Sequence, residues 1–156
     1  MARVLYASET GTAKDLAFRA CSFLSLRGVD VGAGPRSLDE GDFGVPPDGD
    51  DDRVVVVLAA TCGDGATPTN ARRTWARLLS KSAPRLEGLR YALYGLGDAR
   101  YGLKFCAFAR KLDARLGQLG AAPVAPRALG DGAGSGGVAA ALPEFLASLA
   151  APLGVD

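Results

Sequence analysis

The sequence predicts an α/β fold in which helices cover both faces of a parallel sheet. Short apolar runs bounded by turn residues alternate along the chain with amphipathic helical patterns, and such alternation is typical of parallel strands joined by helical crossovers. The two clearest runs, "RVVVVLAA" at 53–60 and "LRYALYGLG" at 89–97, are apolar at most positions, as central strands covered on both sides are. We therefore expect a three-layer sandwich with its ligand at the carboxyl ends of the strands.

Five strands are predicted from these runs, at 3–7, 29–33, 53–60, 89–97 and 122–129. The second and the fifth are the weaker patterns, which is typical of edge strands.

Helical patterns separate the strands, at 16–28, 70–79, 105–120 and 138–153. Asn70 is placed to cap the helix that follows it. Pro143 lies either in the first turn of the last helix or at a kink within it. The stretch "SLDEGDFGVPPDGDDD" at 37–52 has no period and predicts a loop, with one helical turn near Leu38.

Composition narrows the classes of function. The 156 residues suit a single domain at 1–156, and 18 Lys+Arg against 17 Asp+Glu give a net charge of +1, which argues against nucleic acid or an anionic membrane as partner. Histidine is absent, so Ser-His chemistry is excluded. The three cysteines form no C-x-x-C pair, and no metal site is predicted. With no apolar run of about 18 residues, we expect a cytoplasmic protein.

The hexapeptide "SETGTA" at 8–13 follows the first strand and precedes a helix. Amides at a helix N-terminus attract an anion, and the hydroxyls of Ser8, Thr10 and Thr12 can donate further hydrogen bonds to it. Neither the lysine of a triphosphate-binding loop nor the glycines of a dinucleotide fingerprint is present, so a single terminal phosphate fits better. The alternative is that Ser8 or Thr10 only caps the helix.

Two glycine-rich loops follow the central strands, "ATCGDGATPTN" and "GLGDARYGLKFC". Gly63, Gly65 and Gly97 let the backbone approach a flat ligand without a Cβ clash. Tyr101 suits stacking on a heterocycle, although a lone tyrosine can also simply pack.

These stretches, "VLYASETGTAKDLA", "VVVVLAATCGDGATPTNARRTW" and "YALYGLGDARYGLKFCAFARKLDARLGQLGA", resemble the three FMN loops of the flavodoxin-like domain in the NADPH-dependent diflavin reductases. That family includes cytochrome P450 reductase, the sulfite reductase flavoprotein, methionine synthase reductase and the diflavin reductase of cytosolic iron-sulfur assembly. The resemblance implies a five-stranded parallel sheet in the order 2-1-3-4-5. It also assigns FMN binding to Ser8, Glu9, Thr10, Gly11, Thr12, Ala13, Ala60, Thr61, Cys62, Gly63, Leu96, Gly97, Asp98, Tyr101, Phe105, Cys106 and Asp131.

Within that set the resemblance implies distinct roles. Residues 8–13 would cradle the phosphate, 60–63 would run beside the ring, and 96–106 would cover its other face with Tyr101. Asp131 would close the site, and the carbonyl of Gly63 would turn toward the ring in its reduced form.

The chain departs from the family pattern in places. Cys62 stands where P450 reductase has an aromatic residue, which implies a more exposed flavin; Cys62 is either a small packing residue or a reactive thiol. Cys106 stands where Asn or Cys is expected, and the "YGLKFC" loop is one residue longer than usual. Arg72, Arg73 and Arg77 are either a solvated face or a docking surface for an acidic partner.

The functional expectation is electron transfer, because no residue here has to act as acid, base or nucleophile. Asp64 and Asp98 would disfavour a second negative charge on FMN and so separate its two one-electron steps. The domain would accept electrons from an NADPH/FAD module and pass them singly to a haem or iron-sulfur partner. These residues include no FAD or NADPH module, so they are not a complete enzyme alone. The alternatives are a stand-alone flavodoxin and an interaction module whose flavin site has decayed.

Overall fold

A parallel sheet forms the centre of the computed structural model, which describes residues 1–41, 43 and 53–156. Its strands are β1 (Ala2–Ala7), β2 (Arg36–Ser37), β3 (Val54–Ala60), β4 (Arg90–Gly97), β5 (Ala122–Pro123) and β6 (Ala128–Asp131). The helices are α1 (Thr12–Ser25), α2 (Leu38–Gly41), α3 (Arg72–Leu79), α4 (Ala107–Gln118) and α5 (Leu142–Ala147). Short 3₁₀ turns lie at Thr69–Ala71, Ala99–Lys104 and Gly137–Ala139.

The strand order is β2-β1-β3-β4-β5, with β6 also paired to β4, and every pair is parallel. The predicted order 2-1-3-4-5 is therefore confirmed. Pairing runs from Ala2 opposite Val54 to Ala7 opposite Ala59, and β4 follows β3 in the same register. The carboxyl ends of β1, β3 and β4 consequently meet at one edge of the sheet.

The sheet is covered on both faces because its side chains alternate. Val4, Val56 and their neighbours on one face pack against α1 and α5. Leu5, Val57 and Leu93 on the other face pack against α3 and α4. These two cores confirm the predicted three-layer sandwich.

The predicted second strand at 29–33 is wrong. Val29 is buried, and the Ala2 amide donates to the carbonyl of Asp30 at 2.8 Å, so the segment does lie beside the sheet. Gly32 and Gly34, however, have φ of 60° and 97°, a conformation that turns the chain out of a strand. Ladder pairing begins only at Arg36, next to β1.

The predicted fifth strand at 122–129 is divided into β5 and β6. Pro123 and Pro126 have no amide hydrogen to give to a ladder, and the chain leaves the sheet between them. Both segments return to β4, β5 beside its start and β6 beside its end.

The helix predicted after Asn70 is present, but Asn70 does not cap it. It lies in the 3₁₀ turn before α3, and its side-chain oxygen accepts a hydrogen bond from the Ser8 amide at 2.9 Å. Pro143 lies in the first turn of α5, so the kink is not formed. The helical turn near Leu38 is α2, while positions 42 and 44–52 of the predicted loop lie outside the described residues. No helix in the described ranges is long and apolar enough to cross a membrane.

Candidate functional site

A cavity of about 280 Å³ opens where the loops after β1, β3 and β4 converge. It is lined by Thr10, Thr12, Ala60, Thr61, Cys62, Gly63, Leu96, Gly97, Asp98, Tyr101, Lys104 and Val138. A neighbouring cavity of about 260 Å³ shares Thr10 and residues 60–63 with it and adds Glu9 and Pro68. The structure thus brings together residues from all three sequence-predicted loops.

The loop after β1 presents the start of α1 to this cavity. Gly11 has φ 97° and precedes the helix, and no side chain of the described residues caps its first amides. The Ser8 hydroxyl instead accepts from the Gly11 amide at 2.9 Å, while Ala13 is buried in the core. Uncapped amides beside the hydroxyl-bearing Thr10 and Thr12 form an arrangement that suits a phosphate group.

Glu9 braces this loop against the segment after β3. Its carboxylate accepts from the Thr69 amide at 2.8 Å and from the Thr69 hydroxyl at 2.9 Å. The hydrogen bond from the Thr69 amide has the larger effect and that from the Thr69 hydroxyl the next, and both lower the pKa of Glu9 below its ordinary value.

The loop after β3 forms one wall of the cavity. The Thr61 hydroxyl accepts from the Phe108 amide at 3.1 Å and so caps α4, while its own hydrogen remains available for donation. Burial, assisted by the carboxylates of Glu9 and Asp64, raises the pKa of Cys62. A raised pKa disfavours the thiolate, which agrees with the packing interpretation better than with a reactive thiol.

The loop after β4 forms the opposite wall. The Tyr101 ring is 55% exposed and lies against Gly63: a Cβ added there would be 3.1 Å from the tyrosine hydroxyl. Asp98 pairs with Arg100 at 2.6 Å, and this contact lowers the pKa of the carboxyl. The two walls thus meet at the Tyr101 side chain.

Phe105 and Cys106 lie beneath this wall and do not line the cavity. Cys106 is fully buried with φ 50°, and burial raises its pKa to about 11. A Cβ on Gly97 would lie 2.8 Å from the Cys106 amide nitrogen, so glycine is required at 97 for the close approach of β4 to α4.

Asp131 supports the site from behind. One of its oxygens accepts from the amides of Ala99 and Ala133, both at 2.9 Å, and the neighbouring Gly132 amide donates to the carbonyl of Gly97 at 2.8 Å. It fixes the position of the loop after β4 without lining the cavity.

Sequence reasoning did not single out Pro68, Lys104 and Val138, which line these cavities. Lys104 belongs to the quoted third loop, but a single lysine in a loop carries no distinctive signal. Val138 reaches the site from a glycine-rich stretch with no period. No group of His, Cys, Asp or Glu that could hold a metal ion occurs among the residues that the structure describes.

The cavity fits FMN, since one end offers uncapped helix amides and threonine hydroxyls for a phosphate. The other end places the Tyr101 side chain and the backbone of 60–63 around the same cavity, where a flat ring can contact both. No side chain of the described residues caps the first amides of α1, which leaves them available to a phosphate.

Comparison with known proteins agrees with this geometry. The family described as Flavodoxin matches residues 4–142. The chain is 36% identical over 148 residues to NADPH-dependent diflavin oxidoreductase 1 of Arabidopsis thaliana, covering 94% of this chain and 23% of that protein. It is 35% identical over 124 residues to the sulfite reductase [NADPH] flavoprotein alpha-component of Photobacterium profundum, covering 80% of this chain and 20% of that protein.

Among solved structures, a flavodoxin from Pseudomonas aeruginosa, studied as a cysteine-to-alanine mutant, superposes with a TM-score of 0.76 at 27% identity. The superposition covers 98% of each chain. By contrast, the chain spans about a quarter of the length of the curated diflavin relative from Arabidopsis. The predicted resemblance to the flavodoxin-like domains of diflavin reductases, whose cofactor is FMN, is confirmed. This chain belongs to the flavodoxin family.

Proposed function

We propose that this chain is an FMN-dependent electron-transfer domain that accepts electrons from an NADPH/FAD module and passes them one at a time to a haem or iron-sulfur protein. The observation that carries the proposal is the two-ended cavity formed by the loops after β1, β3 and β4. When bound, FMN supplies the redox chemistry, and the protein supplies binding, orientation and electrostatics.

The phosphate end is proposed at the start of α1. Thr10 and Thr12 donate hydroxyl hydrogens there, and the first helix amides provide the remaining donors. Ser8 and Gly11 shape the turn, and Glu9 holds it against Thr69.

The ring end is proposed between 60–63 and the Tyr101 loop. Tyr101 stacks on one side, while Cys62 leaves the other side less covered than an aromatic residue would. Electron transfer requires no residue here to act as acid, base or nucleophile, because the flavin supplies the redox chemistry.

The nature of the partners is inferred from the relatives. Both curated relatives named above have NADPH in their names, and one of them is a diflavin oxidoreductase. An NADPH/FAD module is therefore the proposed donor, iron-sulfur assembly is one proposed setting, and the cytoplasm is the proposed compartment, where three free thiols remain reduced.

The site is tested by titrating the protein with FMN and with riboflavin while following flavin fluorescence. FMN is expected to bind more tightly than riboflavin. Thr12→Val is expected to cost about 1 to 3 kcal/mol of FMN affinity and to leave riboflavin affinity unchanged. Thr67→Val, outside both cavities, is the matched control.

Equal affinity for the two flavins would contradict the phosphate assignment. A protein that takes up neither flavin would instead support the interaction module with a decayed site.

A stand-alone flavodoxin is the second candidate, favoured by the end-to-end superposition on a flavodoxin of similar length. The two candidates differ in gene context, since a reading frame that continues into an FAD-binding domain supports the first.

A further inference from the structure

The loop after β4 turns sharply at Gly102, which has φ 58° and ψ −121°. This conformation strongly favours glycine. As a result Leu103 points outward and is 94% exposed, while the residues on either side of the turn, Tyr101 and Lys104, both line the cavity.

The stem of Lys104 is held against the opposite wall. A Cβ added at Gly65 would lie 3.4 to 3.7 Å from three of the lysine's side-chain carbons. The lysine therefore reaches from the loop after β4 to the loop after β3, the same two loops that meet where Tyr101 lies against Gly63.

Lys104 is the one cation among the described residues that line the two cavities, and it forms no ion pair within the described ranges. The carboxylates near it are already engaged. Asp98 pairs with Arg100, and an oxygen of Asp64 accepts from the Ala66 amide at 2.9 Å. The lysine charge is thus available to a ligand at the ring end.

We propose that Lys104 stabilises the negative charge that the FMN ring gains with its second electron and thereby raises the second one-electron midpoint potential. The proposal rests on FMN binding as described above. When the ring takes one electron from the reductant and no proton follows, its charge becomes more negative by one unit, and a nearby ammonium group favours that change. The uncharged oxidised ring gains much less from the same ammonium, so Lys104 affects reduction more than it affects binding.

This role opposes the effect expected from Asp64 and Asp98. The carboxylates would lower the second midpoint potential and so separate it from the first, whereas Lys104 raises it and reduces that separation. Arg100 acts in the same direction as Lys104, because it offsets the charge of Asp98.

The test measures both midpoint potentials of FMN-loaded protein by titration with dithionite in the presence of reference dyes. Lys104→Met is expected to make the second potential more negative by about 30 to 60 mV. This shift is about a three- to tenfold change in the equilibrium constant at about 59 mV per tenfold for one electron. The first potential should change less. The shift of the second potential between Lys104→Met and the unsubstituted protein should become smaller at high ionic strength. Lys104→Arg should retain most of the effect, and Lys111→Met, on the exposed side of α4, is the matched control.

A second potential unchanged in Lys104→Met overturns the proposal, as does an equal shift in Lys111→Met. Loss of oxidised FMN from Lys104→Met also overturns it, because the lysine would then serve binding in general. If the unsubstituted protein binds no FMN, the proposed function itself fails, and that result is distinct from the others.

Discussion

Replacing Asp131 by alanine is expected to weaken FMN binding although the side chain does not line the cavity. The carboxylate accepts two amide hydrogen bonds of 2.9 Å, from Ala99 on the loop after β4 and from Ala133 on its own loop. The substitution Asp131→Asn would keep an acceptor oxygen in the same place while removing the charge. The pair of variants therefore separates the hydrogen bonds from the negative charge.

The size of the effect follows from the two bonds. A net contribution of about 0.5 to 1.5 kcal/mol for each gives a loss of about 1 to 3 kcal/mol in the free energy of unfolding. If all of this stabilisation keeps the Tyr101 loop in its binding conformation, its loss lowers FMN affinity by about 5-fold to 150-fold, at about 1.4 kcal/mol per tenfold. A smaller share gives a smaller loss of affinity.

Denaturant unfolding of the FMN-free protein gives the first quantity, and fluorescence titration with FMN gives the second. Asp131→Asn should stay close to the unsubstituted protein in both. The reasoning is refuted if Asp131→Ala matches the unsubstituted protein, or if Asp131→Asn loses as much as Asp131→Ala.

Three further outcomes are expected. Gly97→Ala should destabilise the protein by about 1 to 3 kcal/mol, because its Cβ would press on backbone at the start of α4, whereas Gly117→Ala, in open space on α4, should stabilise it by about 0.5 to 1 kcal/mol; thermal unfolding distinguishes them. The hydrogen bonds from Thr69 lower the pKa of Glu9, so the stability that they contribute is complete above the ordinary pKa of 4.5 and is lost as the pH falls through the lower pKa of the folded protein. Glu9→Gln should therefore have a lower free energy of unfolding than the unsubstituted protein at neutral pH. The two free energies should converge only in acid. Alkylation of Cys62 should be slow at neutral pH, accelerate as the pH rises, and be blocked by FMN; mass spectrometry after labelling with and without FMN checks this, and an unprotected thiol would contradict its place in the cavity.

The central strands could be predicted from the sequence because they are buried on both faces and therefore leave long apolar runs. The edge of the sheet could not, because two glycines at positive φ move the second pairing segment from 29–33 to Arg36–Ser37. Pro123 and Pro126 likewise divide the predicted last strand into β5 and β6. This division could not be predicted, because it depends on which parts of β4 the two segments pair with.

The site was predictable to the level of its loops, since hydroxyls, glycines and a tyrosine follow three strands that end at one edge. The hydrogen-bond partner of each side chain within those loops could not be predicted. Asn70 was expected to cap a helix and instead binds the Ser8 amide, and Asp131 acts through Ala99, because both side chains find partners that are distant in sequence.

The bracing of the two cavity walls has a consequence for how a cofactor would leave. The first loop is tied to the segment after β3 by Glu9 and Asn70, whereas the loop after β4 is tied to β6 by Asp131. Both walls are therefore fixed by hydrogen bonds to neighbouring segments of the fold. A flavin would then leave through the open side of the cavity beside the exposed Tyr101, and not by displacement of a whole wall.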